Sequence, residues 1–146
     1  MINIVNGNIL NCKEDIIIHQ VNTQGLMGGG LARQLADKYI TLEDLYSKYC
    51  KKYNNEYEKL KGKVYIIHIE DKYICNMFSQ KDNFEVDYNM MYSSLKDVKE
   101  FSITNKLSIS IPYGIGCGIS NGNWNKVYEI IEKVFNDYDV TLYKYL

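Results

Sequence analysis

The chain has 146 residues, with 17 Lys and Arg against 18 Asp and Glu for a formal net charge of −1. That length suits one domain with a buried core, and the near-neutral balance gives no bulk field to recruit duplex nucleic acid, so no direct duplex nucleic-acid binding is expected. Met1 to Leu10 holds no basic start followed by an apolar run, and nowhere do about 20 apolar residues run together, so a soluble, unprocessed chain without a membrane partner is expected. Cys12, Cys50, Cys75 and Cys117 are widely spaced, with no C-x-x-C pattern and no nearby histidine. This argues against a metal site and for reduced thiols in a cytoplasmic protein.

In chain order, β-branched and apolar content predicts strands at Ile2 to Val5 and Ile16 to Val21. Leu31, Leu35 and Tyr39 then recur at helical spacing, and Leu42, Leu45, Tyr46 and Tyr49 continue the pattern after a break near Ile40-Thr41. Val64 to Ile69 and Tyr73 to Phe78 flank Glu70-Asp71-Lys72 and read as an antiparallel hairpin. A stripe of Tyr88, Met91, Leu95 and Val98 predicts a helix, Leu107 to Ile111 a strand, and Trp124, Val127, Ile131, Val134 and Phe135 a further helix. Val140 to Tyr145 alternates as a last strand. This order predicts an α/β domain over 1–146, a three-layer α/β/α arrangement around a mixed, roughly six-stranded sheet.

Two glycine-rich loops follow predicted strands. The first runs from His19 through Asn22, Thr23, Gln24 and Gly25 to Met27-Gly28-Gly29-Gly30, where a helix begins. Consecutive glycines cost about 0.5 to 1 kcal/mol each against alanine in a forming helix, so they mark close approach by something or a tight turn. Amides at a helix N-terminus are unpaired and suit phosphate or sugar oxygens. The second loop, Pro112-Tyr113-Gly114-Ile115-Gly116-Cys117-Gly118-Ile119-Ser120, has glycine at alternate positions, with Ile115 and Ile119 expected to anchor it in the core. Neither loop is a P-loop, and no G-x-G-x-x-G opens a βαβ unit, so the pattern points to a nucleotide diphosphate held chiefly by backbone amides.

Over nearly its whole length the chain resembles the macrodomains. The matching pieces are Ile4 to Ile9, His19 to Leu31, Tyr73 to Gln80, and Pro112 to Ser120 with Trp124 following. His19, the Met27 to Gly30 run and Gly116-Cys117-Gly118 are similar to the branch of terminal ADP-ribose glycohydrolases and ADP-ribose-1″-phosphate phosphatases. The resemblance implies ADP-ribose or a derivative as ligand, an ADP-ribosylated protein as a further partner, and no cofactor or metal. It implies that Gly7, Asn8 and Ile9 meet adenine, that Gly28, Gly29 and Gly30 meet the distal ribose, and that Gly114 to Ser120 meet the diphosphate, with Met27, Leu31, Gln80 and Pro112 as further ligand-binding residues. Asn8 stands where the family usually has aspartate, and Gln80 and Ser120 where the glycohydrolases carry catalytic lysine and aspartate. A lysyl intermediate is therefore not expected.

For chemistry, His19 is a candidate acid or base, its reference pKa being ~6.5, or else a core histidine bonded to its surroundings. Asn22 is a candidate for positioning ribose or water, or a turn residue, and Ser120 completes the catalytic candidates. Tyr143 or Phe78 is expected to stack on adenine, and Cys117 reads as a small packing residue or an exposed thiol. Asp82, Glu85 and Asp87 either approach the ribose or solvate the start of a helix, with Asp87 near its N-cap. The expected function is ADP-ribose binding with hydrolysis of the 1″-phosphate or an ester-linked ADP-ribosyl group. A non-catalytic ADP-ribose reader is the alternative, and another nucleotide diphosphate or a cyclic nucleotide in the same loops is a remoter one.

Overall fold

The computed structural model describes residues 1–118 and 120–145. Among them are six strands: β1 (Ile2–Asn6), β2 (Ile16–Gln20), β3 (Val64–Ile69), β4 (Lys72–Met77), β5 (Ile109–Pro112) and β6 (Val140–Lys144). The helices are α1 (Gly30–Lys38), α2 (Leu42–Lys52), the single turn α3 (Tyr57–Leu60), α4 (Tyr88–Asn105) and α5 (Trp124–Val134). The strands form one mixed sheet in the order β1-β6-β5-β2-β4-β3, parallel throughout except for the β3–β4 hairpin.

Three consecutive isoleucines, Ile16, Ile17 and Ile18, have no exposed surface. Successive strand side chains point to opposite faces, so a central strand of this kind needs cover on both. On one face Ile16 and Ile18 meet Met91, Leu95 and Val98 of α4 and Val127, Ile131 and Val134 of α5. On the other, Ile17 packs with Leu35 of α1, Leu42 and Tyr46 of α2 and Leu60 of α3. The result is the expected three-layer α/β/α architecture.

Polar caps set the helix starts. Asp87 accepts from the Met90 amide at the start of α4, and Asn123 accepts from the amides of Asn125 and Lys126 at the start of α5. Strand ends differ from expectation by a residue or two. The last predicted strand but one starts at Ile109 rather than Leu107, because the Leu107 amide is used in closing α4, on the Ser102 carbonyl. Helix α3 is four residues long, too short to show a period. Leu45, assigned to the buried stripe by its spacing, faces solvent. Strand β1 is an edge, so Ile4 is 50% exposed despite its apolar run.

Burial on both faces of β2 makes it the costliest place to lose volume. Ile18→Ala is expected to lower the unfolding free energy by about 2 to 5 kcal/mol, whereas Ile4→Ser on the exposed edge changes it by less than about 0.5 kcal/mol. Urea denaturation of the two variants checks this ordering.

Candidate functional site

Strands β4, β2 and β5 lie side by side and parallel, so their carboxyl ends, and the segments that follow them, open at one end of the sheet. A cleft of about 610 Å³ sits there. Its wall takes His19, Gln20 and Asn22 from the end of β2 and the first loop, Met27 to Ala32 from the start of α1, and Gln80 from beyond β4. Pro112, Ile115, Gly118 and Ser120 come from the second loop.

The first loop is held from below. Tyr46 on α2 donates its hydroxyl to the Asn22 carbonyl and side-chain oxygens, and Asn55 donates to the Thr23 carbonyl. Glu43 accepts from the Met27 amide at 2.7 Å and pairs with Arg33. Gly25 has φ +78° and lies against Ser47, where a Cβ would come within 3.3 Å of the Ser47 Cα. The Asn22 carboxamide serves this loop: its oxygen also accepts from the Gln24 amide and its nitrogen donates to the Leu26 carbonyl. That leaves one N–H of Asn22 for the cleft. At Gly28 and Gly29, by contrast, a Cβ would meet no atom within 4 Å and the backbone is not left-handed.

In the second loop the Ile115 and Cys117 amides bond back to the Pro112 and Gly114 carbonyls. The alternate amides of Gly114, Gly116 and Gly118 donate to no acceptor among the described residues. Gly114 and Gly116 have φ of +83° and +77°, and a Cβ at Gly122 would lie 2.4 Å from the Gly116 carbonyl oxygen. This turn is built of glycine for the chain's own reasons. Ile115 is buried as expected; Ile119 lies outside the described residues. Cys117 is half-buried, its sulfur on the Ile115 carbonyl, and burial pushes the thiol pKa up.

Gln80 and Ser120 meet. The Gln80 amide donates to Ser120 Oγ at 2.6 Å, and Gln20 donates to the same oxygen at 2.7 Å. A neutral hydrogen-bonded pair thus stands where the resemblance places a lysine and an aspartate. Among the described residues, no Lys, Arg, Asp or Glu lines the cleft. His19 is its one titratable side chain, with Nε2 lying 2.6 Å from Asn76 Oδ1. Burial pushes the His19 pKa down to about 4, so the ring is neutral at physiological pH and is a base or acceptor there rather than an imidazolium acid.

Other predicted residues lie outside this cleft. Gly7, Asn8, Ile9 and Tyr143 cluster by the ends of β1 and β6, with β6 the neighbour of β5, so they adjoin the second loop. A Cβ at Gly7 would lie 3.7 Å from the Tyr143 ring. Asn8 already uses its carboxamide oxygen to accept from the Leu10 amide at 3.0 Å, capping a 3-10 turn in which Ile9 is buried. Tyr143 donates to Glu14 at 2.6 Å; burial, then that carboxylate, pushes the phenol up to about 12. Phe78 is fully buried, stacked with Tyr46 and Tyr49, which rules out the expected stacking on adenine. Lys81, Asp82 and Glu85 are exposed away from the cleft, and Asp87 is committed to capping α4.

No family model matches the chain. Among curated proteins, the ADP-ribose glycohydrolase OARD1 of Bos taurus is 26% identical over 144 residues, covering 97% of this chain and 88% of that protein. The ADP-ribose 1″-phosphate phosphatase of Saccharomyces cerevisiae (strain YJM789) is 28% identical over 173 residues, covering 96% of each. Among solved structures, the macrodomain of Mycobacterium tuberculosis DarG matches with a TM-score of 0.85 at 23% identity, over 99% of this chain and 97% of that one. This chain has the macrodomain fold.

Four residues at or behind the cleft have no role assigned from the sequence. Gln20 follows His19 in β2, and Asn76, behind the cleft wall, is a lone carboxamide inside an apolar strand. Leu26 and Phe84 stand exposed at the rim. Of these only Asn76 carried a signal, because a polar residue amid Ile74, Cys75 and Met77 has to be satisfied inside the fold.

The lowered His19 pKa links stability to pH. The folded value, about 4, lies below the reference value of 6.5, so between them the unfolded chain binds more protons and stability rises with pH. The contribution is complete above 6.5 and is lost as pH falls toward 4. On acidification from about pH 7.5 to 4.5, the wild type is expected to lose about 1 to 3 kcal/mol more stability than His19→Gln. Parallel denaturation series give the difference, and equal losses contradict the assignment.

Proposed function

We propose that this macrodomain binds ADP-ribose in the cleft and hydrolyses an ADP-ribose derivative, a 1″-phosphate or an ester-linked ADP-ribosyl group, with water as the attacking molecule. The observation that carries the reading is at Gly28 and Gly29: neither backbone strain nor packing requires glycine there, and each faces open cleft at the start of α1. Glycine at such positions admits a ligand to the backbone. The relatives act on matching chemistry, one being a glycohydrolase of ADP-ribose and the other a phosphatase of ADP-ribose 1″-phosphate.

In this reading the distal ribose lies against Met27 to Leu31 and Gln80, at the positive end of the α1 dipole. The diphosphate takes the amides of Gly114, Gly116 and Gly118, with Ser120 beyond them. Adenine extends toward Gly7, Asn8, Ile9 and Tyr143. His19, neutral, meets the ligand at the distal ribose as an acceptor, and Asn22 offers its remaining N–H. Residues 1–146 act as one domain of a cytoplasmic protein, which free, largely buried cysteines support. An ADP-ribosylated protein is a further partner.

The neutral Gln80–Ser120 pair favours a second reading, a reader that holds ADP-ribose without cleaving anything. Calorimetry with ADP-ribose, ADP and AMP tests the shared core of both: equal affinity for the three overturns them. Gly28→Ala is expected to weaken ADP-ribose binding about tenfold while the unfolding free energy changes by less than about 0.5 kcal/mol. Release of phosphate from ADP-ribose 1″-phosphate, or of ADP-ribose from an ester-linked conjugate, decides for hydrolase; neither product at saturating substrate decides for reader.

A further inference from the structure

Asn76 is fully buried in β4, directly opposite His19 of β2 in the parallel pairing. Its Nδ2 donates to the Tyr65 carbonyl at 2.9 Å and to the Ile74 carbonyl at 3.3 Å. Carbonyl oxygens only accept, so the amide nitrogen has to lie on that side and Oδ1 has to face the imidazole. Oδ1 also only accepts, which makes His19 Nε2, 2.6 Å away, the donor. In a neutral ring this leaves Nδ1 as a bare lone pair. That atom is buried, and it has no hydrogen-bond partner among the described residues, although His19 belongs to the cleft wall. A buried polar atom held in one orientation without a partner is poised for one that arrives.

We propose that Asn76 is a positioning residue that holds His19 in its Nε2–H form, so that Nδ1 accepts a hydrogen bond from a hydroxyl of the bound distal ribose. The inference rests on the reading of the cleft as an ADP-ribose site, and it narrows the ligand class to sugars with a free hydroxyl at that point. An ionised phosphate has no proton to give and finds no partner in this nitrogen. The two faces of the imidazole thus divide the work: Nε2 is spent on the fold, and Nδ1 is kept for the ligand.

Two-bond 1H–15N NMR of the protein labelled at histidine nitrogen, at about pH 7, tests the first half without any ligand. The expected result is a protonated Nε2 and an unprotonated Nδ1 for His19; the opposite tautomer or an imidazolium overturns the lock. Saturating ADP-ribose is then expected to move the Nδ1 resonance in the direction of a hydrogen-bonded acceptor, while saturating ADP, which lacks the distal ribose, leaves it in place. An unmoved Nδ1 in protein shown calorimetrically to be loaded with ADP-ribose overturns the second half. No calorimetric binding of ADP-ribose overturns that half together with the reading of the cleft, with the lock judged separately on the free protein. His19→Phe keeps a flat ring and removes the acceptor, so it is expected to cost about tenfold in ADP-ribose affinity and nothing in ADP affinity. Equal losses for the two ligands contradict the assignment.

Discussion

Burial of β2 on both faces is the constraint from which the rest of this fold follows. Three adjacent isoleucines without exposed surface require helices above and below the strand, and parallel neighbours on either side require crossovers long enough to contain them. Those crossovers leave the sheet at one end. The first loop and the second therefore emerge side by side, although about ninety residues separate them in the sequence. The cleft is a by-product of covering an apolar strand, and its chemistry depends on what the loops place there.

What they place there is uncharged. A cleft with no Lys, Arg, Asp or Glu among its described residues has backbone amides and the α1 dipole to offer an anion, and these lose less on burial than a charged side chain would. The Gln80–Ser120 contact belongs to the same design. Lysine at 80 opposite Ser120, or aspartate at 120 opposite Gln80, would put a poorly solvated charge beside a partner unable to balance it. The two positions share one contact, so a charge at either faces a neutral partner. Gln20, donating to the same Ser120 oxygen, extends the neutral network across the strand ends.

Much of this was legible in the sequence, for identifiable reasons. The hairpin and the stripes of α4 and α5 were readable because their apolar spacing matched one structural period over many residues. The two loops stood out because glycine clusters at strand ends are specific in combination. Phe78 was misjudged because an aromatic residue near a predicted site carries no mark of which side of its strand it faces; it faces Tyr46 and Tyr49. Asn22 reads either as a positioning residue or, beside Thr23 and Gln24, as a turn residue; Tyr46, 24 residues later in the chain, holds its oxygen in the turn, and one N–H is left over. The pairing of Gln20 and Gln80 on Ser120 is a product of three separate segments, and no local pattern encodes it.

The glycines separate what the fold needs from what the cleft needs. Gly25, Gly114 and Gly116 occupy left-handed backbone, and Gly122 lies too close to a carbonyl to carry a side chain. The chain's own geometry accounts for them. Gly28, Gly29 and Gly118 have neither feature, and the space beside each is open. A side chain there would stabilise the unliganded protein at least as well as glycine by restricting the unfolded chain. Stability therefore gives no reason for glycine at these three positions, and Gly28, Gly29 and Gly118 all line the cleft. The same division runs through His19, whose Nε2 is bound to Asn76 and whose Nδ1 is bound to nothing in the described chain. In both cases the groups that packing leaves unexplained lie on the wall of one cleft, as the proposal of a single ligand there requires.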